Sequence, residues 1–144
     1  MSKKNKKIIF CVDDDDLFRK AFEIEFMKDK GFDLVSFSSG EKCLENLSLK
    51  PDLVVLDYFL DGLDKTAMNG LKTLDAIKTH DSTIPVIIMS SQDSIEVAVN
   101  CLHHEAFDYV VKSETAFIRL RKTISSILLY RKMEQEIKKF GDKV

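Results

Sequence analysis

Five short apolar runs, each followed by a segment of helical period, limit what this chain can fold into more than any other feature. The runs are Ile8–Val12, Leu34–Phe37, Leu53–Leu56, Pro85–Met89 and Phe107–Val111. Each is too short for a buried helix, rich in β-branched residues and nearly continuous in its apolarity, the pattern of a strand covered on both faces. Between them lie amphipathic stretches. The first spans residues 14–29 with Leu17, Ala21, Phe22, Ile24 and Phe26 at helical spacing, and Gly31 closes it. The second is capped by Ser38 or Ser39, places Glu41 near its third position and carries Cys43, Leu44 and Leu47. Leu71, Leu74 and Ile77 mark the third, and Ile95, Val97, Ala98, Val99 and Leu102 the fourth. A long fifth helix runs from Thr115 to about Phe140–Gly141, with Phe117, Ile118, Ile124, Ile127, Leu128 and Met133. A loop from Tyr58 to Asn69 separates the third strand from its helix. Strands joined by single helices must run parallel, because each crossover returns the chain to the same end of the sheet. The prediction is an α/β fold: (βα)5, a doubly wound five-stranded parallel sheet.

With 144 residues there is room for one such domain and no second one of ordinary size. Twenty-two Lys+Arg against 24 Asp+Glu leave a net charge of −2, too balanced for nucleic-acid binding by bulk charge. Lys3, Lys4, Lys6 and Lys7 read as a solvated tail. The three cysteines, Cys11, Cys43 and Cys101, have no metal-ligand or disulfide spacing. Free thiols and the lack of a signal-peptide core predict a cytoplasmic protein. No window approaches the ~20 apolar residues of a membrane span, so no membrane association is expected.

In a parallel α/β sheet, ligands bind at the carboxyl ends of the strands. Four strands deliver a polar group there: Asp13 and Asp14, Asp57, Ser90, and Lys112. Three carboxylates at one edge repel one another, and a divalent cation relieves that conflict. A small set of hard oxygen ligands suits Mg²⁺, which keeps waters and is commonly completed by phosphate oxygens. Lys112 adds a compact positive charge and Ser90 a hydroxyl, a combination that suits a phosphoryl group carried on one of the acids. Asp57, alone at its strand end, is the expected nucleophile, with Asp13 and Asp14 holding the metal. Taken singly, each residue has a plainer explanation: acids opening a helix, a turn aspartate, a serine cap, a surface lysine. Asp15 and Asp16 keep that plainer role as first-turn surface acids.

These residues resemble the receiver domain of two-component response regulators, of the chemotaxis-regulator type. The resemblance covers about residues 7–130, and the matching pieces are IIFCVDDDDLFRKAF, PDLVVLDYFLDG, NGLKTLDAIK, PVIIMSSQD and AFDYVVKS. The resemblance implies a flavodoxin-like sheet of order 2-1-3-4-5. The receiver domain is thus expected at 7–130, between a basic tail at 1–6 and a charged extension of the last helix at 131–144. The resemblance also implies a phosphorelay function, in which a sensor histidine kinase or phosphotransfer protein donates a phosphoryl group to Asp57. Asp14 and the Phe59 backbone carbonyl would ligate Mg²⁺, with Asp13 acting mainly through water. Ser90 and Lys112 would bind the phosphoryl oxygens. Tyr109 would be the aromatic switch that follows Ser90, changing partner binding at the face of helix 4, strand 5 and helix 5. Such a chain is a signalling switch and no enzyme beyond its own phosphorylation and dephosphorylation.

Three positions depart from the family pattern. The family's proline four residues after the acceptor is Asp61 here, and its glycine corresponds to Gly70, so the loop is about five residues longer than usual. Asp61 or Asp64 could then alter metal affinity or kinase choice. The proline that follows the family's lysine is Ser113. A cis bond without proline costs roughly 2.5–4 kcal/mol, so a trans bond is expected and Lys112 could sit differently. Ser91 replaces a smaller residue beside the site. Two other readings are weaker. A haloacid-dehalogenase-type phosphatase needs a second acid two residues after the nucleophile, where Phe59 stands. A degenerate receiver acting only as a binding module would not need the complete acid, hydroxyl and lysine set. The run from Asp57 to Met68 also fails as a calcium loop, at Phe59 and at Met68.

Overall fold

The computed structural model describes residues 6–62 and 65–141. Most of the basic tail, Asp64 and the last three residues of the expected extension lie outside them. The chain alternates β1 (Lys7–Val12), α1 (Asp16–Phe26), β2 (Phe32–Phe37), α2 (Gly40–Glu45), β3 (Leu53–Asp57), α3 (Gly70–His80), β4 (Val86–Ser90), α4 (Ile95–His103), β5 (Asp108–Val111) and α5 (Ala116–Gly141). The strands form one all-parallel sheet in the order β2-β1-β3-β4-β5, as expected. Ile9 sits beside Leu34 and Leu53, Val54 beside Val86, and Ile87 beside Asp108.

The strand side chains alternate between two separate cores. Phe10, Val12, Val54, Leu56, Val86 and Ile88 face one side, with Cys43, Leu74, Ile77 and Cys101 from α2, α3 and α4. Ile9, Cys11, Leu53, Val55, Ile87 and Met89 face the other, with Phe22 and Phe26 of α1 and Leu120, Ile124 and Ile127 of α5. Covering on both faces explains why β1, β3 and β4 read as unbroken apolar runs. All three cysteines are buried and free. Burial pushes the Cys43 thiol up to about 12, and it also raises those of Cys11 and Cys101.

Some local expectations shift. α1 begins at Asp16, and Asp15 is its cap, accepting from the Leu17 N–H. Ser39 caps α2 through the Lys42 N–H, so Glu41 stands at the second helical position. There its carboxylate accepts from the Met68 N–H and ties the long loop to α2. α2 ends at Glu45, and a short 3-10 turn over Leu47–Leu49 carries the chain to β3. In α4 the stripe expected to face the core is exposed at Ile95, Val99 and Leu102, while Cys101 is buried. Leu60, in the loop after β3, is buried in the core although periodicity gave no sign of it. Among the described residues, no helix is long and apolar enough to cross a membrane.

Candidate functional site

The order β2-β1-β3 means that the chain leaves β1 toward one edge of the sheet and β3 toward the other. The crevice of a doubly wound sheet opens at this reversal, outside the carboxyl ends of those two strands. Asp13 and Asp14 follow β1 directly, and Asp57 is the last residue of β3. One carboxylate oxygen from each of the three lies within 4.8 Å of the others. Residues more than forty positions apart are thus brought together by strand pairing alone.

The run of four aspartates divides into four roles. Asp13 is 1% exposed, and both its oxygens are engaged: Oδ1 accepts from the Asp15 N–H at 2.9 Å and Oδ2 from Lys112 Nζ at 2.7 Å. Asp14 is half-buried and belongs to the carboxylate cluster. Its Oδ2 and the Phe59 carbonyl oxygen both border Gly62, near the position a side chain there would take. Asp15 caps α1, and Asp16 pairs with Arg19.

Lys112 Nζ also lies 3.3 Å from Asp57 Oδ1. It gets there with no cis bond, since every peptide bond among the described residues is trans. The missing proline after Lys112 therefore does not keep the lysine from the acids. Its ammonium sits over the Phe18 ring, 4.4 Å from the ring centroid. Burial works against the ammonium charge, but Asp13 and Asp57 outweigh it and hold Lys112 above its usual range. Asp57 is 6% exposed. Burial first, then the Asp13 charge, push its carboxyl up to about 6, against the opposing pull of Lys112 and a backbone hydrogen bond from Phe59. A single lysine thus faces a cluster of three carboxylates. The hard oxygen donors, their spacing and this excess of negative charge fit a divalent cation such as Mg²⁺.

Ser90 ends β4 fully buried, its Oγ accepting from the Gln92 N–H at 3.1 Å. Tyr109 in β5 is half-buried, and its hydroxyl donates to the Gln92 carbonyl at 2.6 Å. Gln92 therefore joins the two predicted switch residues through its backbone, a link that no side-chain pattern announces. Ser91 is exposed. Arg19, also missed, donates to the Asp13 carbonyl at 2.6 Å and fastens the start of α1 to the site. Asp61 is not in the carboxylate cluster found among the described residues.

Gly70 shows why a glycine must close the long loop. A Cβ there would stand 2.4 Å from the Asp57 carbonyl oxygen and 2.7 Å from the Tyr58 Cα. Its N–H donates to the Tyr58 carbonyl at 3.1 Å. The first turn of α3 is thus pressed against the backbone that carries Asp57.

Comparison with known proteins agrees with this geometry. The transcriptional regulatory protein ZraR of Klebsiella oxytoca is 28% identical over 130 residues, covering 90% of this chain and 28% of that protein. The regulatory protein AtoC of Escherichia coli K12 is 32% identical over 105 residues, covering 72% of this chain and 22% of AtoC. The chain thus spans about a quarter of the length of these relatives. The crystal structure of NtrX from Brucella abortus superposes with a TM-score of 0.79 at 28% identity, over 95% of this chain and 30% of NtrX. Residues 9–125 match the family model of the response regulator receiver domain, and the chain belongs to that family.

Proposed function

We propose that this chain is a phosphoacceptor switch, taking a phosphoryl group onto Asp57 from a histidine kinase or phosphotransfer protein. The observation that carries this reading is the joint placement of Asp13, Asp14, Asp57 and Lys112 at the sheet reversal, with Asp57 the acid at the end of the central strand. An Asp57 oxygen attacks phosphorus, the phosphorus–nitrogen bond to the donor imidazole breaks, and that nitrogen leaves with the bonding pair. Asp13, Asp14 and Asp57, with the Phe59 carbonyl, are the residues to hold Mg²⁺, which would neutralise charge on the transferring group. Lys112 is placed to turn from Asp13 and Asp57 toward a phosphoryl oxygen. Ser90, at the end of the neighbouring strand β4, would offer its hydroxyl to another.

A phosphoryl group adds nearly two negative charges and three acceptor oxygens. If Ser90 Oγ turns toward it, the Gln92 N–H loses its acceptor, and the same peptide segment carries the carbonyl that holds the Tyr109 hydroxyl. Movement at Ser90 therefore bears on Tyr109 and on the segment that leads into α4, whose Ile95, Val99 and Leu102 are exposed. That face, with β5 and α5, is the proposed site for a downstream protein partner. A bias of ~1–3 kcal/mol between two positions gives a roughly 5- to 150-fold change in affinity.

The test is intact mass after incubation with acetyl phosphate and Mg²⁺. The native chain is expected to gain one phosphoryl group and Asp57→Asn none. Phosphate retained on the asparagine variant would move the acceptor elsewhere, and none on either protein would favour a module that only binds. Metal binding should also follow pH. Because the Asp57 carboxyl titrates near pH 6, protons compete with Mg²⁺ below that value. Apparent Mg²⁺ affinity in calorimetric titrations is expected to fall by up to roughly tenfold per pH unit below 6 and to level off above it.

A further inference from the structure

Lys112 reaches the carboxylates from the edge of the sheet. It follows β5, whereas Asp13 follows β1 and Asp57 ends β3, and both β3 and β4 lie between β1 and β5. Its stem is long and flexible, so the ammonium must be held from more than one side to stay at the site. Two contacts come from the acids, Asp13 Oδ2 at 2.7 Å and Asp57 Oδ1 at 3.3 Å. The third comes from the Phe18 ring, whose centroid lies 4.4 Å from Nζ, inside the range of cation–π attraction. Phe18 is the third residue of α1, which shares a face of the sheet with α5. Its ring is itself braced, by Phe22 one turn along α1 at 6.5 Å and by Phe117 of α5 at 5.8 Å between centroids. The helix start that carries it is fastened by the Asp15 cap and by Arg19 on the Asp13 carbonyl.

The three contacts differ in how long they last. On the phosphoacceptor reading, Asp13 and Asp57 are also needed to hold the metal. An Asp57 oxygen then becomes bonded to phosphorus and loses the charge that attracts Lys112. The ring is neutral, holds no metal and keeps its quadrupole throughout. It is the one contact that persists while the ammonium turns from carboxylate to phosphoryl oxygen. Backbone bonds fix the end of β5, from the Lys112 N–H to the Ser90 carbonyl at 2.7 Å and from the Ser113 N–H to the Val111 carbonyl at 2.8 Å, but they hold only the main chain. Burial alone does not account for the ring: Phe22 and Phe26 are fully buried, while Phe18 is only partly so, at the rim of the core beside the lysine. We propose that Phe18 is a positioning residue, which keeps the Lys112 ammonium at the site through phosphoryl transfer; this rests on the phosphoacceptor reading of Asp57.

The test compares Phe18→Leu, which keeps an apolar side chain without a ring, with Phe18→Tyr, which keeps the ring. With acetyl phosphate and saturating Mg²⁺, an Asp57 oxygen attacks phosphorus and acetate leaves with the bonding pair, so intact mass against time gives the rate. Phe18→Leu should lower the rate at saturating donor roughly 5- to 30-fold, with the half-saturating donor concentration little changed. Phe18→Tyr should stay close to the native rate. On a Lys112→Ala background the leucine change should have no further effect, whereas a merely structural phenylalanine would lower both rates by the same factor. In the metal-free protein, nuclear magnetic resonance should show the Lys112 ammonium protons shifted upfield by the ring, a shift lost in Phe18→Leu and kept in Phe18→Tyr. An unchanged rate in Phe18→Leu, an equal loss on both backgrounds, or an ammonium signal indifferent to the side chain at position 18 would overturn the proposal and leave Asp57 as acceptor. No phosphate on the native chain would overturn the phosphoacceptor reading and this inference with it.

Discussion

Asp57→Asn is expected to stabilise the metal-free protein at pH 7 by about 1–3 kcal/mol, although it removes the proposed acceptor. The native carboxylate is buried beside Asp13, and Lys112 offsets only part of that cost. Its folded-state pKa of about 6 lies above the ordinary 3.8, so the folded state binds the proton more tightly than the unfolded chain does. Stability from this group is therefore present at low pH and lost as pH rises from about 4 through about 6. Above that range the full penalty applies, and the neutral amide escapes it. Urea denaturation in the presence of a chelator should show the gain at pH 7 and most of it gone at pH 4.5. Millimolar Mg²⁺ should reverse the order, because a ligand that binds only the folded form stabilises the native chain more than a variant with one carboxylate fewer. A variant less stable than the native chain at pH 7 without metal would show that Asp57 is held by attraction and is under no strain of charge.

Gly70→Ala is expected to destabilise the fold by about 2–4 kcal/mol, against the usual sign for such a change in a helix. Alanine normally favours a helix over glycine by up to ~1 kcal/mol. Here the added methyl meets backbone atoms of Asp57 and Tyr58, which cannot rotate away. Either α3 lifts from the sheet or the end of β3 moves, and Asp57 moves with it. Gly141→Ala, where nothing lies within 4 Å, is the control, and it should be neutral or slightly stabilising. Denaturation midpoints report the first effect. Loss of Mg²⁺ affinity in Gly70→Ala reports the second, since no metal-ligand candidate has been changed. An unaltered Mg²⁺ affinity would mean that α3 alone gives way.

Much of the architecture was legible because burial on both faces leaves a mark that does not depend on neighbours. An unbroken apolar run such as Leu53–Leu56 has few alternatives to a central parallel strand. The site was legible for a related reason: Asp13, Asp57, Ser90 and Lys112 all stand where an apolar run stops. Helix faces were harder to read. Ile95, Val99 and Leu102 have the spacing of a buried stripe and are exposed, while Cys101 and the partly buried Val97 meet the core. Helical period shows that one face is apolar, but the direction from which the sheet approaches decides which residues are covered.

The sequence by itself therefore determined the element order, the parallel sheet and the polar residues at its carboxyl end, because hydrophobic period and strand termination are local properties. Only the tertiary structure decided which oxygen meets which charge. That Lys112 reaches Asp13 and Asp57 across a trans bond, that Gly70 lies against the backbone of Asp57, and that Gln92 joins Ser90 to Tyr109 all follow from the approach of segments distant in the chain. Such contacts depend on sheet order and backbone separation measured in tenths of an ångström, and residue type and spacing do not encode those quantities one position at a time.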